Sequence, residues 1–204
     1  MRMQEFSPLK RKVYLAYHRD GILDLAAGSV VLGFGLNMLT DNIVFLVIGW
    51  MAIMLYFLIK QRVTVPRFGF VRFESKEKTT QKAWISVGIG VLFVAFFLTL
   101  NIFVSRRPTS PEMQAWIQRY HMVPLSAMLF GLPALAAAIF LGLNRFYVYA
   151  LLAVGLPLLG ALANIETYIP ILATGLIMLA FGSVLLVTFL KKYPLEAEGE
   201  DVSG

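Results

Sequence analysis

The chain has 204 residues, of which 58% are hydrophobic and 15% charged, and its mean hydropathy is +0.73. Ordinary globular domains carry roughly 25% charged residues, so too little polar material is present to cover a core in water, and a soluble fold is excluded. Cysteine is absent, which removes disulfide, thiolate and iron–sulfur chemistry, and the net charge of +6 reports membrane topology more simply than nucleic acid.

Residues 1–21 read as a retained cytoplasmic leader, too polar for too long to be a cleaved signal. About 20 mostly apolar residues are needed to cross roughly 30 Å of hydrocarbon. Six runs qualify: 22–40, 42–59, 83–104, 122–143, 146–165 and 168–190. The links between spans one and two, four and five, and five and six are short enough to make antiparallel neighbours of each pair. The expected fold is therefore all-α, a polytopic six-helix transmembrane bundle built of three hairpins.

Direction follows from the charges. Arg2, Lys10, Arg11, Lys12 and Arg19 precede span one, and Lys60, Arg62, Arg67, Arg72, Lys76, Lys78 and Lys82 follow span two. Arg145, Lys191 and Lys192 fall on the same side, which leaves Arg106, Arg107 and Arg119 on the other. By the positive-inside rule both termini are cytoplasmic, in a cell (inner) membrane.

Within cytoplasmic loop 60–82, residues 61–73 alternate apolar and polar side chains around Pro66 and Gly69, which predicts a short β-like segment. In extracytoplasmic loop 105–121, Ser110 as N-cap, Pro111 at the first helical position and Glu112 in the first turn mark a helix start. Met113, Trp116, Ile117 and Tyr120 then share a face, as expected of a short interfacial helix before span four. The tail, 191–204, is acidic after Pro194 and is expected to be disordered. Gly28, Gly33 and Asn37 recur at the same offsets as Gly155, Gly160 and Asn164, either a faint repeat or generic small-residue packing.

Asp24 is the one acidic or basic residue inside a predicted span, and such a carboxylate needs a partner. With Asp20 as a plausible N-cap, Asp24 falls near the first turn, close to interfacial water and to the positive end of the helix dipole. The expectation is a structural clamp joining Asp20 and Asp24 to Arg62, Arg67 and Arg72. Asp41 and Glu166 read as turn residues, with Arg106, Arg107 or Arg119 as a second possibility for Glu166. His18 precedes span one on the cytoplasmic side and His121 precedes span four on the opposite side, roughly 30 Å of hydrocarbon apart, and both lack the i+3 or i+4 partners of metal-binding helices, so no metal or cofactor set is expected. No nucleophile elbow, zinc helix or acyltransferase spacing is present, and no catalytic residue is nominated. Ser29 and Gly33, one turn apart, suggest close helix packing. Pro133 and Pro157, each within a Gly-Leu-Pro triplet, suggest kinks and a pocket between spans four and five.

Asp20-Gly21-Ile22-Leu23-Asp24 and Pro66-Arg67-Phe68-Gly69-Phe70-Val71-Arg72-Phe73 resemble a pattern of uncharacterised prokaryotic multispan membrane proteins. These have an Asp-Gly-x-x-Asp opening to the first helix and a Pro-Arg-x-Gly-x-Val-x-Phe loop after the second. The resemblance covers residues 20–73, implies a prokaryotic origin and no particular activity, and singles out Asp24, Pro66, Arg67, Gly69 and Phe73.

Without visible driving chemistry, the sequence favours a non-catalytic scaffold, accessory subunit, or partner- or lipid-binding module. Arg67, Phe68, Phe70, Arg72 and Phe73 form the candidate contact loop, suited to anionic lipids at the cytoplasmic face, to a protein partner or to a second copy of the chain. Nucleic acid is not an expected partner. The competing expectation is a small uncoupled channel or facilitator for a neutral or weakly polar solute, lined by mild polar groups.

Overall fold

The computed structural model describes residues 18–68 and 110–194. All regular structure there is helical, and five helices are long and apolar enough to cross a membrane. The chain is a helical membrane protein. Expected span 83–104 lies outside the described residues. The chain divides into two units, one comprising residues 1–71 and 172–204, the other residues 72–171.

In the first unit, α1 (Ile22–Thr40) is followed by α2 (Ile43–Val63), the single turn α3 (Val65–Phe68), and the portion of α8 (Tyr168–Lys192) from Leu172 onward. Gly21, at φ 78°, sets the entry to α1 in a left-handed conformation that favours glycine. The turn to α2 divides its work between two residues. Asp41 supplies the left-handed C-cap at φ 52°, while the Asn42 side chain accepts from the Val44 N–H at 3.0 Å. Asp41 is thus a turn residue, as its sequence context predicts, while Asn42 makes the side-chain cap.

Glycine decides how these helices touch. Along α1 and its entry, Gly21, Leu25, Gly28, Leu32 and Gly35 alternate at steps of four and three; along α8, Leu172, Gly175, Leu179, Gly182 and Leu186 do the same. The two sets mesh antiparallel, each glycine facing a leucine. A Cβ on Gly28 would lie 3.0 Å from Leu179, and one on Gly175 only 2.7 Å from the Leu32 backbone nitrogen. Such a heptad rhythm of small and large residues lets backbones approach closely in lipid. A second glycine face meets α2: a Cβ on Gly49 would lie 2.9 Å from the Ser29 carbonyl oxygen and 3.4 Å from Gly33 Cα. The Ser29/Gly33 packing expected from the sequence is therefore present.

The β-like reading of residues 61–73 is corrected where the structure describes them, since α2 runs through Val63 and α3 continues the helical path to Phe68. Lys60 and Thr64 explain why. In a strand they would stand about 13 Å apart, in a helix about 6 Å, and only the helix brings both onto one carboxylate. Residues 69–73 lie outside the described residues.

The second unit contains α4 (Pro111–Tyr120), α5 (Met122–Ser126), a π turn (Ala127–Gly131), α6 (Leu132–Leu141), α7 (Arg145–Leu162) and the first turn of α8. Ser110 accepts from the Met113 N–H at 3.3 Å with Pro111 opening the helix, as its residues predicted. The expected separate interfacial helix is instead continuous with its span, because His121 keeps helical dihedrals, φ −59° and ψ −28°. The 31 residues Pro111–Leu141 extend about 46 Å, against roughly 30 Å of hydrocarbon. The α4 end must therefore project to headgroup level.

Just ahead of Pro133 lies the π turn, in which the Leu132 N–H reaches back to the Ala127 carbonyl. The ladder shifts by one residue just ahead of the position that has no N–H to give. Helix α7 ends in a Schellman motif, with Asn164 left-handed at φ 55° and the Ile165 N–H bonded to the Gly160 carbonyl at 2.9 Å. Asn37, its proposed repeat partner, lies inside α1. A Cβ on Gly155 meets nothing within 4 Å whereas Gly28 is tightly covered, but Gly33 and Gly160 are alike, each packed against the helix that follows it.

Candidate functional site

Among the described residues of the first unit, the charged side chains other than Asp41 gather where α1 begins and α2 and α8 end. Gly21 turns the chain so that Asp20 folds back under the first turn of α1, its Oδ1 accepting from the Ile22 N–H at 3.2 Å. Oδ2 accepts from the Thr64 hydroxyl at 2.7 Å and lies 3.5 Å from Lys60 Nζ. Lys60 Nζ also donates to the Tyr56 hydroxyl at 3.0 Å, over whose ring it sits. Tyr56, Lys60 and Thr64 are successive i, i+4 positions on one face of α2. Asp20 and Thr64 are fully enclosed and Lys60 is only 4% exposed. A lysine at a helix end ordinarily extends its head into water; here it is turned inward by a carboxylate.

Asp24, one turn beyond Asp20, is also fully enclosed, and a Cβ on Gly182 would sit 3.1 Å from its own Cβ. The expected proximity to interfacial water is thus replaced by burial against α8. Among the described residues, no buried side-chain nitrogen or oxygen lacks a hydrogen-bond partner.

A second layer closes this end. Arg67 Nε donates to the Tyr193 carbonyl at 2.8 Å and its Nη1 donates to the Val63 carbonyl. One guanidinium therefore holds the last carbonyl of α2 and the carbonyl just past α8, beside two negative dipole ends that would otherwise repel. Of the residues expected to form the clamp, Asp20 is held instead by Lys60 and Thr64 and Asp24 packs against α8; Arg67 braces helix ends; Arg62 is exposed; Arg72 lies outside the described residues. Of the expected contact loop, Phe68 ends α3, while Phe70 and Phe73 lie outside the described residues.

Lys60 and Thr64 were concealed by the rule that located the spans, since a run ended at its first charge stops at Ile59 and leaves the inward-facing lysine in the loop. The i, i+4 spacing of Tyr56, Lys60 and Thr64 is the signal that reveals them.

In the second unit, Arg119 Nε and Nη2 donate to the carbonyls of Ala161 (2.7 Å) and Leu162 (3.0 Å), so Arg119 caps α7. The hydroxyl of Ser126, next to the π turn, donates to the Ala153 carbonyl of α7 at 2.7 Å. The two pocket residues face differently, Pro133 being exposed and Pro157 buried. Glu166 is exposed, consistent with a solvated turn. Among the described residues no group of three His, Asp or Glu side chains gathers as a metal-ligand set.

Comparison of the chain with protein-family models, with curated proteins and with solved structures finds no match.

Proposed function

We propose that this chain is a six-crossing inner-membrane module without catalytic machinery of its own, acting as a scaffold, accessory subunit, or partner- or lipid-binding protein. The observation that carries the reading is the internal satisfaction of Asp20, Lys60 and Thr64: these buried groups are spent on one another and on holding helices together. A coupled transporter or enzyme keeps such groups available to substrate or proton.

The topology of the first unit supports the crossing number. Asp20, at the start of α1, and the ends of α2 and α8 meet at one level, so the chain must cross an even number of times between them. Five candidate spans are described, and run 83–104 is the sequence's candidate for the sixth. The basic residues Lys60, Arg62, Arg67, Lys191 and Lys192 gather at that same level, which the positive-inside rule assigns to the cytoplasm.

Reconstitution tests the function. Purified protein in liposomes is expected to give no flux of water, glycerol or small neutral solutes above empty vesicles; reproducible flux would replace the module reading with the facilitator. A reporter fused after Lys192 is expected to be active only as a cytoplasmic fusion.

A further inference from the structure

The brace that closes the polar end also assembles a surface. Arg67 contacts the Val63 and Tyr193 carbonyls with one guanidinium, so the tips of α2 and α8 lie side by side. Arg62 on one tip and Lys191 and Lys192 on the other are exposed, and Lys192 lies over the Tyr193 ring at 5.6 Å. Three exposed cations from two helices thus occupy one rim. Among the described carboxylates of this unit, Asp20 and Asp24 are enclosed and Asp41 sits at the opposite end of α1. Helix C-termini normally disfavour anions, but here Arg67 neutralises both.

We propose that this rim, Arg62 with Lys191 and Lys192, is a docking surface for anionic phospholipid headgroups of the leaflet in which α2 and α8 end, with Arg67 as the positioning residue. The proposal deepens the module reading and rests on it. The occupant follows from place and charge: the rim terminates two apolar membrane-length helices, where phosphates line the bilayer, and it presents cations with no exposed carboxylate among the described residues beside them. It also moves lipid recognition from the aromatic loop after α3 to the helix tips.

The test uses the full-length protein in nanodiscs of mixed phosphatidylglycerol and phosphatidylcholine, with retained lipid measured by native mass spectrometry. Wild type is expected to enrich phosphatidylglycerol, and the variant Arg62→Gln/Lys191→Gln/Lys192→Gln to lose about fivefold of that preference per charge removed. Arg62→Lys is expected to keep it. Arg67→Gln is expected to weaken it while increasing the spin-label distance between cysteines placed at 62 and 192, positions uniquely labelled because the chain has no native cysteine. No preference in wild type, or full preference in the triple variant, overturns the proposal while leaving the module reading to its own flux test. Displacement of the lipid by excess inorganic phosphate also overturns it, since the site would then take free anion. If the triple variant does not fold, salt decides: a wild-type preference that is unchanged at high ionic strength is not electrostatic and the proposal falls.

Discussion

Replacing Lys60 by Met removes the one cation within 4 Å of Asp20 among the described residues and leaves a fully enclosed carboxylate with only the Thr64 hydroxyl and the Ile22 N–H. Breaking a buried ion pair by deleting one partner costs about 3–5 kcal/mol, so Lys60→Met is expected to lower stability by that amount. Asp20→Asn should cost less. Lys60 immediately precedes exposed Gln61 and Arg62, and its long stem can carry the ammonium out to water once the carboxylate is gone, whereas the short Asp20 side chain has no such escape. In the double variant neither charge is stranded, and a neutral pair of similar volume is often as stable as the ion pair it replaces. Its loss should fall below the sum of the single losses by about 2 kcal/mol or more. Equilibrium unfolding in mixed detergent micelles measures all three variants. Additive losses would show that the two side chains do not act as a pair, and equal losses for the two singles would refute the asymmetry.

The glycine seam supplies a paired comparison: Gly175→Ala places a methyl 2.7 Å from the Leu32 nitrogen and should destabilise by about 1–3 kcal/mol. Gly155→Ala, with nothing within 4 Å, should be neutral or stabilising by up to about 1 kcal/mol from helix propensity; thermal unfolding of both variants checks the contrast. Arg119→Met uncovers the Ala161 and Leu162 carbonyls at the end of α7 and should cost about 1 kcal/mol, with faster amide exchange confined to residues near 163–166. Ser126→Ala removes one interhelical bond to Ala153, and in a membrane bundle that should cost about 0.6 kcal/mol, measurable by the same unfolding assay.

Residues whose behaviour depends on local hydrophobicity are legible in the amino-acid sequence alone. Expected runs 22–40 and 168–190 agree within two residues with Ile22–Thr40 and Tyr168–Lys192, because insertion into lipid responds to the composition of a single helix. The Ser110-Pro111 helix start is equally readable, since capping is chemistry among neighbours. The Gly–Leu heptad is also present in the residues, although recognising it requires comparing two helices more than a hundred positions apart.

The rotation of each helix about its own axis is a tertiary matter. A span's composition does not state which face meets which neighbour, and that rotation determines that Asp20 takes Lys60 and Thr64, that Asp24 is sealed against α8, and that Arg67 serves backbone carbonyls. Sequence therefore sets how the chain partitions between water and lipid, because that is a sum over single residues. The pairing of charges is left to packing, because it depends on distances that close only when separate helices meet.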